Sequence, residues 1–423
     1  MFGNVCLSPF TNGITMVSCF LFGVCYIGLY NSLIHADVGF MVGIFELIDG
    51  IGGVTFAIVF VVLSFTPNFP FYYRTLGLVN QVLNLVLSAL YVILSCCLRL
   101  NSDEKYNESY GLYLLPVAII NCILPATNFV VFFNLSYSLS ALHTTCYITG
   151  MAFSGVISSF LSLLISQLVT KDSSTGSIEN DLSFLTPLII LVISAVTLVL
   201  TIINFYGFHD VANFLVSQKI VHTTDYLILN DNEKPTNYPV LRMFWGILTE
   251  MKFSLLSLTF IFFTTLSLYP HFLNAVEHLY LKLQSSENEE YFMLISICSL
   301  LFAIGDTLGR LLEIFQKIPT QKFVFFCSIG YLLISYFVTL PMYFIVNTLN
   351  TDVAVYVEYA TFVVAFVLGA IQGFLMACSI EHSSSNVEPR LSVALVCLAI
   401  YIGVFSGVIV QISLGYIDTN LIA

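Results

Sequence analysis

"SLLFAIGDTLGRLLEIF", residues 299–315, is apolar around a helix except at a few positions, chief among them Asp306 and Arg310, four residues apart. A stretch this apolar belongs in lipid or in a large core. At the centre of a bilayer each charge costs roughly 2.5–3.5 kcal/mol on insertion scales, so the two together cost about 5–7 kcal/mol unless something offsets them. The rest of the chain decides between the two settings. Of 423 residues, 58% are hydrophobic and 9% charged, and the mean hydropathy is +0.93. That lies far from the balance of a soluble domain and reads as a polytopic membrane protein.

Apolar runs of about 20 residues, the length that spans a bilayer, recur eleven times: 13–34, 41–65, 76–98, 111–137, 143–168, 183–206, 253–275, 291–314, 323–346, 355–379 and 391–415. A membrane β-barrel would show short alternating segments instead. The expected fold class is an all-α polytopic membrane protein with eleven transmembrane helices in a 6+5 arrangement. The longest polar interval makes the division: 1–207 as an N-terminal bundle of helices 1–6, 208–251 as a cytoplasmic linker, and 252–423 as a C-terminal bundle of helices 7–11. Two bundles facing each other across a central site are a transporter arrangement. The linker, with "NDNEKPTNYP" at 230–239, reads as a flexible connector or as a docking site.

With the N-terminus cytoplasmic, nine of the 13 Lys and Arg residues fall in or near inner segments. The positive-inside rule therefore favours N-in, C-out. Asn107-Glu108-Ser109 then sits in an outer loop as a candidate glycosylation sequon, whereas Asn134-Leu135-Ser136 lies inside an apolar run. The first run is long enough to span, and no Lys or Arg precedes it, so it reads as helix 1 rather than a cleaved signal. The net charge of −12 comes mainly from loops such as 101–109 and 285–290 and offers no basic stripe for nucleic acid. The eleven cysteines lie nearly all in apolar runs, with no C-x-x-C, and read as packing residues.

Polar residues inside the runs carry the functional reading. Asp306 and Arg310 share a face, Glu313 extends it toward the cytoplasm, and Gly305 and Gly309 thin the helix beside it. The pair is either a structural salt bridge or the lining of a wet cavity in which the carboxylate accepts substrate hydroxyls. In "FELIDGIGG" (45–53), Glu46 and Asp49 share a face near the outer mouth, as hydrated end groups, a vestibule lining or a protonatable coupling site. Tyr30 and Asn31 in "LYNSLIH" (29–35) pair an aromatic face with an amide. Asn121, Asn128 and Asn134 share the fourth run with Pro116 and Pro125, which bend it. His271, after Pro270, is a packing residue or a proton relay. Glu46, Asp49, Glu313 and His271 are thus the gate or coupling candidates. Nothing resembles a nucleophile with its base, a P-loop or a metal cluster, so neither an enzyme nor a cofactor is expected.

These motifs resemble the equilibrative nucleoside transporter family. Asp306-x-x-Gly309-Arg310 is similar to that family's D-x-x-G-R. "FTTLSLYPHF" (263–272), "ITGMAFSG" (148–155) and "QGF" (372–374) are similar to its segments on helices 7, 5 and 10. The resemblance implies a major-facilitator-like fold lacking one helix and movement of nucleosides or nucleobases by alternating access. It places Asp306 and Arg310 against the ribose hydroxyls. Tyr30-Asn31 stands at the family's Trp-Asn, and Asn128 is the nearest match to a helix 4 glutamine. Tyr30 for tryptophan, Met151 for glutamine and Gln372-Gly373-Phe374 for Asn-Gly-Tyr are departures that bear on base preference. A monomer in the plasma membrane, with the nucleoside or nucleobase and the lipid bilayer as partners, completes the expectation. The alternatives are another major-facilitator-like porter, for sugars or for proton-coupled nucleoside uptake, and a receptor or scaffold. Against a sugar porter, "TPNFPFYYR" (66–74) lacks the G-x-x-x-D-R/K pattern.

Overall fold

The structure is a computed structural model and describes residues 8–34, 41–65, 69–99, 106–171, 185–208, 211, 239–283, 289–313, 319–346, 351–383 and 389–422. Among the described residues there is no strand. The helices are α1 (Pro9–Ile34), α2 (Met41–Ser64), α3 (Phe69–Arg99), α4, α5 (Ala141–Lys171), α6, α7 (Pro239–Leu283), α8 (Glu289–Leu312), α9 (Gln321–Val346), α10 (Thr351–His382) and α11 (Pro389–Ile422). α4 is assembled from Tyr106–Asn121, Ile123–Asn128, a π-helical turn Phe129–Phe133 and Asn134–Leu139. α6 runs Leu185–Ile202 and closes in a second π turn, Ile203–Gly207. By length and hydropathy 10 helices qualify as membrane spans among the described residues. α8 carries Asp306 and Arg310.

The surface is inverted relative to a soluble protein. On α3, Asn80, Gln81, Asn84 and Ser88 are buried while Val79, Val82, Val86 and Ile93 are exposed. Inside, Thr197 of α6 donates to Gln81 Oε1 at 3.0 Å, and the Ser88 and Ser194 hydroxyls lie 3.2 Å apart. Lipid tails are as apolar as leucine, so the helices gain by close packing and internal hydrogen bonds rather than by hiding valine.

Glycine supplies that close packing. A side chain on Gly305 or Gly309 of α8 would strike the carbonyl oxygens of Phe366 or Ala370, and one on Gly369 or Gly373 of α10 would strike those of Phe302 or Asp306. The two backbones are therefore in mutual contact, each helix offering an i, i+4 glycine pair to the other. Gly23 of α1 and Gly150 of α5 repeat the arrangement against Tyr147 and Phe20.

Two seams join helices that precede residue 208 to helices that follow 251. Along the antiparallel α5–α8 seam, Ser162 and Ser296 hydroxyls meet at 3.2 Å, Gly155 lies opposite Ala303, and Arg310 reaches the Ile148 carbonyl at 2.7 Å. Along the α2–α11 seam, the Gln411 carboxamide lies within hydrogen-bond reach of Glu46, Gly50 packs on Phe405, and Gly53 packs on the Tyr401 ring. One apolar cluster links α1, α2, α4, α5, α6, α7, α10 and α11, so α2, α5 and α11 share a core.

The largest difference from the sequence reading is the start of α7. α7 starts at Pro239, inside the interval read as a linker, and its Ile247 and Met251 are buried. Proline is favoured in the first turn, where its missing N–H is not needed, and Arg242, Glu250 and Lys252 had lowered the local hydropathy. Residues 212–238 of that interval lie outside the described residues.

Gly309→Val and Gly369→Val are expected to unseat α8 from α10, an overpacking cost of about 1–3 kcal/mol or more each. Gly330, where an added side chain would meet nothing within 4 Å, is expected to accept alanine with a gain of up to about 1 kcal/mol. Thermal unfolding of the purified variants in detergent checks both signs.

Candidate substrate site

The i, i+4 spacing on α8 stacks Arg310 over Asp306, and the two meet as a fork. Arg310 Nε donates to Asp306 Oδ1 at 3.1 Å and Nη2 to Oδ2 at 2.7 Å. The remaining arm, Nη1, donates to the Ile148 carbonyl of α5 at 2.7 Å. That carbonyl has a second lone pair beyond its helical bond. Gly373 is also part of the pair's setting, because any side chain there would crowd both the backbone oxygen and Oδ1 of Asp306. Planar bidentate pairing, a carbonyl acceptor and a close backbone together offset the cost of charge in lipid.

Asp306 and Arg310 are 6% and 4% exposed. The face expected to line a wet cavity is therefore packed in this conformation, because α5 and α10 close over it from two sides.

An aromatic and amide layer adjoins the pair through α5. Tyr147, the residue before Ile148, donates its hydroxyl to Asn128 Oδ1 at 2.9 Å. Asn128 Nδ2 has no acceptor among the described residues. Phe129 stacks on Phe133 at 4.6 Å between centroids and meets Tyr26 at 5.7 Å and Tyr147 at 6.2 Å. Tyr26 donates to the Tyr401 hydroxyl at 3.4 Å and lies within electrostatic reach of Arg310. The π turn Phe129–Phe133 begins immediately after Asn128, so the backbone register shifts at the layer itself. Such turns occur frequently at functional sites, and Pro125, lacking an N–H, loosens the ladder one turn earlier.

Among the described residues, no group of three or more His, Cys, Asp or Glu side chains could hold a metal ion. A family model described as nucleoside transporter matches residues 114–414. The chain belongs to the nucleoside transporter family. Membership and the helical membrane architecture together establish transport of nucleosides across a membrane. A search of curated proteins finds no match. Among solved structures, a bacterial homologue of the iron transporter ferroportin, outward-facing with soaked iron, is similar with a TM-score of 0.54. It is 13% identical and covers 97% of this chain and 92% of its own. A bacterial homologue of the human lysosomal transporter Spinster, inward-facing and unoccupied, is also 13% identical, with a TM-score of 0.38 and coverage of 95% and 82%. The first likeness shows a shared fold, of the major-facilitator kind.

Within this nucleoside transporter the predicted residues divide into groups. Asp306, Arg310 and Asn128 are brought to one neighbourhood by α8, α5 and α4. Glu46 and Asp49 are buried on the α2–α11 seam, apart from the ion pair. Glu313 lies within hydrogen-bond reach of Glu381 on α10, with Cys378 close by. Tyr30, Asn31, His271 and Asn107 stand on α1, α7 and α4, but their side chains lie outside the described residues. Gln372 accepts from Thr265 at 2.6 Å and Tyr331 at 3.2 Å, tying α10 to α7 and α9. Tyr26, Tyr147, Tyr401 and the Ile148 carbonyl were not singled out by sequence. With 23 tyrosines in the chain none was distinctive, and a backbone acceptor leaves no trace in sequence.

Removing one member of a buried pair strands the other, at about 3–5 kcal/mol. Asp306→Ala is therefore expected to lower thermal stability in detergent sharply, and Asp306→Leu combined with Arg310→Met to recover most of it. An Asp306→Ala protein as stable as the wild type would show that Arg310 has a second anionic partner.

Proposed function

We propose that this protein is a facilitative carrier of nucleosides, and also of nucleobases, that works by alternating access as a monomer in the plasma membrane. α1–α6 and α7–α11 act as two bundles joined by the segment that precedes Pro239, with the N-terminus cytoplasmic and the C-terminus outside. The orientation is supported by nine basic residues against four.

The observation that carries the proposal is the position of Arg310, whose guanidinium holds a carboxylate on its own helix with two nitrogens and a carbonyl across a seam with the third. Parting α5 from α8 frees Nη1 without dismantling the pair. Asp306 then accepts the ribose hydroxyls while Arg310 keeps it ionised and adds a donor. The base takes the aromatic end: Asn128 Nδ2 supplies a donor, Tyr26 and Phe129 supply ring surface, and the resemblance assigns Tyr30 and Asn31, on the next turn of α1, to the base as well. Glu313 and His271 are assigned to gating, and Asn107, in the first turn of α4, to glycosylation.

Saturable uptake of radiolabelled adenosine into liposomes containing the purified protein is the direct test, and its absence would overturn the proposal. Asp306→Asn, which keeps the shape but not the charge, is expected to cut inosine transport by at least about tenfold, the loss of one charge-assisted hydrogen bond, while hypoxanthine, lacking the sugar, is affected far less. Asn128→Leu is expected to weaken both substrates. Equal losses for inosine and hypoxanthine in Asp306→Asn would remove the ribose role.

A further inference from the structure

On α2, Glu46 and Asp49 are 5% and 7% exposed, one turn apart, facing α11. Each has an oxygen without a hydrogen-bond partner, Glu46 Oε2 and Asp49 Oδ1, and on α11 Gln411 Oε1 is likewise unpartnered. The Gln411 carboxamide lies within hydrogen-bond reach of Glu46. The groups facing Asp49 are Glu46 on its own helix, Tyr26 of α1, Cys122 of α4 and Tyr401 of α11. Those facing Glu46 are Gln411 and Asp49. Among the described residues no lysine or arginine pairs with either carboxyl. Arg310 is committed to Asp306 and Ile148. The seam therefore presents three acceptors with no hydrogen to share, next to the close packing of Gly50 on Phe405 and Gly53 on Tyr401. Acceptors opposed in a dry interface call for a donor, and two carboxylates without a cation call for neutralisation.

We propose that Glu46 and Asp49 form a proton-binding site whose occupancy holds α2 against α11. With protons bound, the carboxyl O–H groups donate to the oxygens left unpaired, Gln411 Oε1 among them, and the seam closes neutral. When α2 and α11 part, water enters, each carboxyl gives its proton to water and the resulting carboxylates are hydrated, which opposes reclosure. The closed form binds protons that the open form releases, so acid favours closure and rising pH favours opening. Because the seam joins the helices on either side of the 208–251 segment, the site acts on the transport step itself, and this part of the inference rests on the carrier reading above.

Two measurements test it. In infrared difference spectra of the purified protein, the wild type is expected to show a carboxylic-acid band at neutral pH that shrinks in Glu46→Gln and in Asp49→Asn. An unchanged band in both variants overturns the site whatever the protein transports. In liposomes clamped at equal pH on both sides, wild-type adenosine exchange is expected to fall by about tenfold as the medium is acidified, as for a population shift of that size. Glu46→Gln, whose amide imitates the protonated acid and supplies a donor for Gln411, is expected to exchange slowly and without pH dependence. Wild-type exchange that does not respond to pH, or a Glu46→Gln protein that keeps the wild-type profile, overturns the inference and leaves transport standing. No flux at any pH sinks the carrier reading, and the infrared comparison then decides the proton site alone.

Discussion

The contact on which the site depends is a guanidinium with no solvent to fall back on. Arg310 satisfies its charge on Asp306 and its remaining arm on the Ile148 carbonyl, and neither partner is dispensable in a medium that offers no substitute. This requirement reaches outward into the fold. For Asp306 to sit where it does, α10 must come to backbone contact, which requires Gly369 and Gly373. For the Ile148 carbonyl to be within reach, α5 must lie flat along α8, which small side chains at Gly155, Ala303, Ser162 and Ser296 allow. Packing of the helices and solvation of the charge are one constraint.

The two seams differ in chemistry. α5–α8 is polar at intervals and its charges are matched. α2–α11 is built from rings and glycines, and its acids have no cation among the described residues. A carrier in which both seams were as well satisfied as the first would be hard to part, and one in which both resembled the second would be hard to close.

Much of the fold was legible in the sequence, because lipid imposes a length and a composition on every span. Even α8, with Asp306 and Arg310 in its C-terminal half, was readable from its apolar surroundings. The Asp306, Gly309 and Arg310 spacing and the glycine pair beside it pointed to a polar, thin face, and the structure has one. What could not be read was the third dimension of that face. Nothing in the residues says that the glycines turn to α10 while the guanidinium turns to α5, or that Tyr147 holds Asn128. The start of α7 was missed because Arg242, Glu250 and Lys252 dilute a segment whose buried side is apolar. The π turn of α4 was only half announced: Pro125 signals a weakened ladder, but a register shift over Phe129–Phe133 carries no residue signature.

The acceptor on α5 is a main-chain oxygen. Replacing the side chain at 148 leaves it in place, so the latch across this seam is shielded from point substitution at its own position. Only changes that move the α5 backbone, or that alter the arginine, can undo it. A drug-resistant or specificity-shifted variant that loosened this seam would therefore carry its change at the glycines and serines that set the spacing between α5 and α8, away from the residue that makes the bond.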